Sequence, residues 1–320
     1  MAKPQIALYW AASCGGCEIA ALDIGERVLD LIAAADIVFW PAAMDVKYAD
    51  LEAMPEQSID VCLFNGAIRT SENEHLAKLL RAKSKIMVAF GSCATEGGIP
   101  ALANLTTREA IMRNAYQATP TTDNPEGLRP QMEHAVLDGH TLTLPEFHES
   151  VRALHQIVRV DYSVPGCAPV GDRVWEAVAT ILSGDLPAPG SVLGAAQKTV
   201  CDECDHKRNE KRIRKFYRPH EIETDPTLCL LEQGVICMGP ATRAGCGAAC
   251  LRVNMPCRGC YGPPPGVVDQ GAHILSALGS IIDSQDPQEI EEIMAGIPDP
   301  AGTFYRFSMS NSLLFRVRER

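Results

Sequence analysis

The stretch "QIALYWAASCGGCE", residues 5–18, runs from an apolar segment straight into two cysteines separated by two glycines. Its first part, 5–11, is short and rich in strand-forming residues. Strands of parallel sheets are covered on both faces, so their sequences are continuously apolar rather than alternating. Helix-forming residues follow over 18–35, with apolar positions at helical spacing. The stretch therefore predicts the first strand–turn–helix unit of a parallel α/β sheet.

The alternation of buried strands and helices continues through the first half of the chain. Further strands are predicted over 36–42, 59–68, 85–94 and 158–169, and helices over 72–83 and 171–184. Residues 100–157 fit this alternation poorly and are interpreted as an insertion before the last strand. The predicted fold class is α/β, with a doubly wound parallel sheet.

The second half of the chain has a different character. The alternation stops near residue 190, and the sequence becomes irregular and rich in Cys, Gly and Pro, with helices predicted only over 269–284 and 287–295. We place the domain boundary here. It gives a sheet domain over 1–188 and a cysteine-rich domain over 189–320.

Composition and charge exclude several classes of protein. The net charge of −11 argues against general binding of nucleic acids or anionic membranes. No apolar run is long enough to span a bilayer. The start "MAKPQIALYW" has no charged leader segment and no small-residue cleavage site, so we expect a cytoplasmic protein. Thirteen cysteines in a reducing compartment indicate metal ligation or redox chemistry rather than disulfides.

Four of these cysteines follow three of the predicted strands. Ligands of open α/β sheets bind at the carboxyl ends of the strands, and these ends carry Cys14, Cys17, Cys93 and Cys167. Four converging thiols suit a cubane iron–sulfur cluster, and a four-thiolate zinc site is the alternative. Cys17 also begins a helix, which predicts a lowered thiol pKa. Cys62 lies inside a strand among apolar residues and is interpreted as a core thiol.

The second half of the chain holds eight more cysteines, which divide in sequence order into two sets of four. The first set is Cys201, Cys204, Cys229 and Cys237, and the second is Cys246, Cys250, Cys257 and Cys260. C-x2-C pairs serve structural zinc as well as iron–sulfur clusters. The presence of three sites in one chain favours clusters, because redox centres in series make a conduction path.

The residues around these cysteines are highly specific. The segments "CGGCE", "GSCATEGGIP", "VDYSVPGCAP", "CLLEQGVICMGPAT" and "MPCRGCYGPPPG" occur in order over nearly the whole chain and together resemble the small subunit of NiFe hydrogenases. The resemblance implies a flavodoxin-like first domain and three 4Fe-4S clusters in line, leading away from a NiFe centre in a separate large subunit.

The resemblance also assigns the ligands of each cluster. It gives a proximal set of Cys14, Cys17, Cys93 and Cys167, a medial set of Cys246, Cys250, Cys257 and Cys260, and a distal set of Cys201, Cys204, Cys229 and Cys237. Periplasmic members of the family have a histidine at the position of Cys201, and their medial cluster commonly has three cysteines. Both departures are typical of cytoplasmic members.

Among the cytoplasmic members, the chain most resembles the methyl-viologen-type hydrogenases coupled to heterodisulfide reductase in electron-bifurcating complexes. That likeness implies two further partners, a small 2Fe-2S electron-transfer subunit and a heterodisulfide reductase-type flavoprotein. The family has a relative in a small subunit of respiratory complex I, but that relative lacks the second domain and its first two cysteines are adjacent. A hydrogenase-like complex with a different reaction stays open as an alternative, because the nickel ligands lie on another chain.

Acidic residues beside the first cysteines are candidates for proton transfer. Glu18 directly follows the first two cysteines, and Glu96 lies close behind Cys93. Either carboxylate could relay protons near the interface with the large subunit. The alternative is a carboxylate that simply stabilises the start of a helix through the helix dipole.

Overall fold

A computed structural model describes residues 3–135, 139–209 and 212–315 of the 320-residue chain. Residues 316–320, which end the predicted second domain, lie outside this range, as do residues 1–2 of the first. The strands are β1 Gln5–Trp10, β2 Asp36–Phe39, β3 Ile59–Asn65, β4 Ile68–Thr70, β5 Ser84–Phe90, β6 Glu133–Ala135, β7 Thr141–Thr143, β8 Phe147–Arg152 and β9 Tyr162–Val164. The helices are α1 Gly16–Leu22, α2 Arg27–Ala34, α3 Tyr48–Ala53, α4 Ser71–Lys83, α5 Ser92–Glu96, α6 Arg108–Arg113, α7 Gly171–Ser183, α8 Ala249–Arg252, α9 Gln270–Gly279, α10 Pro287–Ala295 and α11 Pro300–Phe304.

The centre of the molecule is a five-stranded sheet with the order β2-β1-β3-β5-β9. Every neighbouring pair in it is parallel. Numbered along the chain, these strands have the order 2-1-3-4-5, which is the flavodoxin-like arrangement. The predicted doubly wound fold is confirmed.

Both faces of this sheet are buried, as the continuously apolar strands predict. On one face, Ile6, Leu8 and Val88 pack with α1 and α7 residues such as Ala20 and Val174. On the other face lie Tyr9, Phe64 and Met87, together with α4 residues that include Leu76 and Leu80. Alternate residues of one strand thus enter two separate cores.

Several predicted elements are divided or shortened. The helix predicted over 18–35 is two helices, α1 and α2, because Gly25 adopts a positive φ of 68° between them. The strand predicted over 59–68 breaks at Gly66, where a side chain would lie 2.7 Å from the carbonyl carbon of Ala11. The last strand, predicted over 158–169, is only the three residues of β9.

The predicted insertion carries its own small elements. It contains α6, the antiparallel β6–β7 hairpin, and β8, which pairs with β4 outside the central sheet. The cysteine-rich part is built of short helices and turns around a third core that includes Phe216, Leu230 and Ile274. None of the helices in the described ranges is both long and apolar enough to cross a membrane.

Candidate metal centres

The proximal set comes together at the carboxyl edge of the central sheet. Cys14 and Cys17 lie in the turn and first helix after β1, Cys93 lies in α5 after β5, and Cys167 follows β9. Backbone hydrogen bonds join the last two turns: the Gly91 amide donates to the Val164 carbonyl (2.8 Å) and the Ser92 amide to the Gly166 carbonyl (2.8 Å). The thiols lie close enough together that the charges of Cys14, Cys93 and Cys167 act on the Cys17 thiol.

Glycines allow the backbone to pass close to the proximal thiols. A Cβ atom on Gly98 would lie 2.6 Å from the Cys93 sulfur, and one on Gly91 would collide with the Cys17 sulfur. Both glycines have positive φ angles, which side-chain-bearing residues rarely adopt. The chain therefore leaves no room for a side chain where these thiols converge.

The acidity of these thiols differs from the sequence-based prediction. Burial raises the pKa of Cys17, and the neighbouring thiols of Cys93, Cys167 and Cys14 raise it further. The predicted lowering by the helix start is wrong, because desolvation and like charges outweigh a helix dipole of only two turns. Burial also raises the pKa of Cys93 to about 12. Without a bound cation the buried Cys17 and Cys93 thiols favour the neutral form, so a bound metal would stabilise their thiolates.

The medial set surrounds a cavity. Cys246, Cys250, Cys257 and Cys260 line a space of about 330 Å³. Cys250 is exposed on α8, whereas Cys257 is buried. Burial is the main cause of the raised pKa of Cys257 and Cys260. The fourth thiol, Cys250, thus lies with the other three, as the medial ligand set requires.

The distal set surrounds a separate cavity, whose lining includes Cys201, Cys204, Cys229 and Cys237. A Cβ atom on Gly239 would lie 3.1 Å from the Cys201 sulfur and 3.5 Å from the Cys237 sulfur. His206 lines the same cavity, and its Nδ1 is buried without a hydrogen-bond partner in the described part of the chain. A ring nitrogen with no protein partner beside four thiols fits a site that holds a sulfur-rich group.

The three sets are adjacent in series. Cys167 of the proximal set lines the medial cavity, and its backbone is hydrogen-bonded to Cys260 of the medial set. On the other side, the Met238 amide, next to Cys237 of the distal set, donates to the Cys257 carbonyl (3.0 Å). The medial set therefore lies between the other two. Cys62, by contrast, is fully buried in β3 and belongs to the sheet core.

The medial and distal thiols each line a cavity and do not meet at one point. Across 3–135, 139–209 and 212–315, no three Cys, His, Asp or Glu side chains lie close enough together to hold a single metal ion. A cubane cluster differs from a single ion in this respect, because each thiolate binds a separate iron at one corner.

Glu18 is held rigidly next to the proximal set. Its side chain is 7% exposed, and its carboxylate accepts hydrogen bonds from the Trp40 indole and from the Asn65 amide (3.1 Å). These two partners come from β3 and from the loop after β2, and no local pattern in the sequence indicates them. Glu18 also lies in the first turn of α1.

Glu96 is the second carboxylate near the proximal set, and it is partly buried at the end of α5. Burial raises its pKa to about 7, although the Asn311 amide (2.5 Å) and the charge of Arg243 act in the opposite direction. Such a carboxyl group can take up and release a proton near neutral pH.

Comparisons with known proteins agree with this geometry. Residues 14–181 match the family described as the 20 kDa subunit of NADH ubiquinone oxidoreductase. This range begins after β1 and includes the other four strands of the central sheet and the proximal cysteines. The iron–sulfur subunit of an F420-non-reducing hydrogenase from Archaeoglobus profundus is 41% identical over 97% of both chains. The corresponding subunit of the F420-non-reducing hydrogenase from Methanothermobacter thermautotrophicus is 34% identical over 98% of this chain and 96% of its own.

A solved structure shares the fold at lower identity. It is a [NiFeSe]-hydrogenase of Desulfomicrobium baculatum, with a TM-score of 0.52 and 18% identity over 83% of this chain and 96% of its own. The two relatives above match nearly the full length, including the distal and medial cysteines that the 20 kDa family does not reach. This chain therefore belongs to the family of iron–sulfur subunits of F420-non-reducing hydrogenases.

Proposed function

We propose that this chain carries electrons from hydrogen oxidation through three 4Fe-4S clusters in series. The proximal cluster is held by Cys14, Cys17, Cys93 and Cys167, the medial cluster by Cys246, Cys250, Cys257 and Cys260, and the distal cluster by Cys201, Cys204, Cys229 and Cys237. The partner is a large subunit that holds the NiFe centre. The serial adjacency of the three sets, through Cys167 and Cys260 and then Cys257 and Cys237, is the observation that carries this proposal.

When bound, each cluster supplies a centre that gains or loses one electron at a time. The residues of this chain hold the centres and set their surroundings. Cysteine thiolates fix four corners, glycines such as Gly98 let the backbone approach, and buried apolar side chains such as Leu251 exclude water. An all-cysteine distal set adds a negative charge where a histidine would be neutral. We expect a low reduction potential there.

The electron acceptor belongs to the same proposal. We infer a cytoplasmic complex in which the distal cluster delivers electrons to a small 2Fe-2S subunit and a heterodisulfide reductase-type flavoprotein, where electron bifurcation takes place. The names of the relatives support the hydrogenase part of this proposal, since both are subunits of proteins called F420-non-reducing hydrogenases.

The boundary between domains 1–188 and 189–320 stays a prediction. Leu193, just beyond it, donates its amide to Ser163 of β9 (2.8 Å).

Glu18 is proposed as a proton relay beside the proximal cluster. Its burial and its two hydrogen bonds from Trp40 and Asn65 hold the carboxylate in one position. The Glu18→Gln variant should turn over more slowly and keep its full iron content. Equal turnover in the variant and the natural protein would reduce Glu18 to a structural role at the start of α1.

The experiment that tests the electron path uses the complete complex, purified without oxygen and exposed to hydrogen. Electron paramagnetic resonance should show three reduced centres in this subunit, with the distal potential near or below that of the hydrogen couple. Cys250→Ala should alter only the medial signal, and Cys62→Ala, a matched control in the sheet core, should alter none. Iron centres that stay oxidised under hydrogen, or a distal potential well above the hydrogen couple, would overturn the proposal.

A further inference from the structure

Arg258 lies between two cysteines of the medial set, in the segment Cys257-Arg258-Gly259-Cys260. Arg258 lines the medial cavity together with Cys250 and Cys257, and its side chain is half-buried. Its charge also acts on Cys237 of the distal set. Arg258 is therefore a cation at the junction between two of the three thiol sets.

Within the described part of the chain, this cation has no protein anion to neutralise it. Neither Arg258 nor its neighbour Arg306 forms an ion pair in those ranges, and the Arg306 Nε is buried there without a hydrogen-bond partner. Both arginines line a cleft of about 420 Å³. The one carboxylate among its described lining residues is Asp299, which accepts the Gly302 amide (2.9 Å) at the start of α11.

The surroundings work against a positive charge here. Arg258 is half-buried, and a second cation, Arg306, lines the same cleft. A half-buried cation without a counter-charge destabilises a protein unless a negative group lies close by. The neighbouring groups that become negative are the medial and distal thiols in their metal-bound form, and this is where Arg258 lies.

We propose that Arg258 is a positioning residue. It supplies a fixed positive charge that raises the reduction potentials of both the medial and the distal clusters. The inference rests on the proposed function. Adding an electron makes a cluster more negative, so a nearby positive charge stabilises the reduced form. The same positive charge offsets the decrease in reduction potential that four thiolates cause at the distal site. Both potentials are therefore higher than they would be without this charge.

The test is a redox titration of the complete complex, followed by electron paramagnetic resonance. In Arg258→Gln, the medial and distal potentials should fall, with a change of at least about tenfold in the one-electron equilibrium constant, or about 59 mV. The proximal potential should stay unchanged. Arg258→Lys keeps the charge and should stay near the natural values. Arg214→Gln is the control, because Arg214 is exposed and pairs with Asp283 away from the thiols.

Iron content separates the possible failures. If the natural complex holds no iron in this subunit, the proposed function itself is wrong. If Arg258→Gln keeps its iron and its potentials do not move, only the role of Arg258 is overturned. If Arg258→Gln loses iron, Arg258→Lys decides: natural potentials in that variant support the inference, and a tenfold fall despite the retained charge contradicts it.

Discussion

Gly98 shows how a single backbone position determines whether a thiol can reach its metal. Its φ is 57°, and a Cβ atom there would lie 2.6 Å from the sulfur and 2.8 Å from the Cα of Cys93. Neither contact can relax by rotating a flexible side chain, because Cys93 is buried and fixed in α5. The absence of a side chain at Gly98 thus allows the proximal thiols to keep their arrangement.

Gly98→Ala should therefore lose the proximal cluster. We expect about four irons fewer per chain, since a cubane contains four, and loss of the proximal paramagnetic signal. Gly25→Ala is the matched control: its φ is also positive, at 68°, but nothing lies within 4 Å of the added Cβ. Full iron content in Gly98→Ala, measured by elemental analysis, would show that the close approach does not matter.

Glu96 makes stability depend on pH near neutrality. Burial raises its folded pKa to about 7, above the usual value of 4.5, so the folded state holds a proton that the unfolded state releases. Its contribution to the free energy of unfolding is present below the unfolded pKa and is lost as the pH rises through the folded pKa. The loss is on the order of 3 kcal/mol when complete.

Glu96→Gln, which cannot ionise, should remove this pH dependence of the free energy of unfolding. Thermal unfolding midpoints of the natural chain and the variant should agree near pH 4, below the unfolded pKa, and the variant should be more stable at pH 8. Parallel curves for the two proteins across pH 5–8 would contradict the assignment.

Residue-level features were predictable from the sequence only where they are local. The twelve ligand candidates follow from spacing, flanking glycines and the family resemblance, and the structure gathers their thiols into three neighbouring sets. The prediction for the pKa of Cys17 is wrong because Cys93 and Cys167, which lie just after β5 and β9, are far away in sequence. The sequence does not predict the hydrogen-bond partners of Glu18 or the groups around Arg258, because these also come from other parts of the chain.

At the scale of elements, helix packing depends on where a backbone can come close. Gly171 begins α7, and a Cβ atom there would lie 2.5 Å from the carbonyl oxygen of Asp23, at the end of α1. This close approach holds α7 against α1, which carries Cys17. The strands and helices themselves were predictable from periodicity, but this contact and the break at Gly25 depend on backbone geometry.

Gly171→Ala should lower the thermal unfolding midpoint, since overpacking against a backbone atom typically costs about 1–3 kcal/mol. Gly279→Ala makes the same chemical change at the end of α9, where nothing lies within 4 Å of the new atom. We expect no loss of stability there, because alanine favours helices over glycine. Equal midpoints for the two variants would refute the packing role of Gly171.

At the scale of the whole molecule, the fold brings cysteines that are far apart in sequence into three neighbouring sets. The parallel sheet brings together the ends of β1, β5 and β9, and the irregular second half places the medial set against them. Sequence order alone would put the distal cysteines, which begin at Cys201, next after the proximal ones. Only the family resemblance predicted the reverse spatial order, and the contact between Cys167 and Cys260 agrees with it.

The central claim is that the three sets hold iron–sulfur clusters. Elemental analysis of the complex, purified without oxygen, measures it most directly. We predict about twelve irons from this subunit, four for each cubane, in addition to the iron of the partner subunits, with matching acid-labile sulfide and no stoichiometric zinc. Zinc bound to these cysteines in the absence of iron would contradict it, and would make the second half of the chain a structural zinc scaffold.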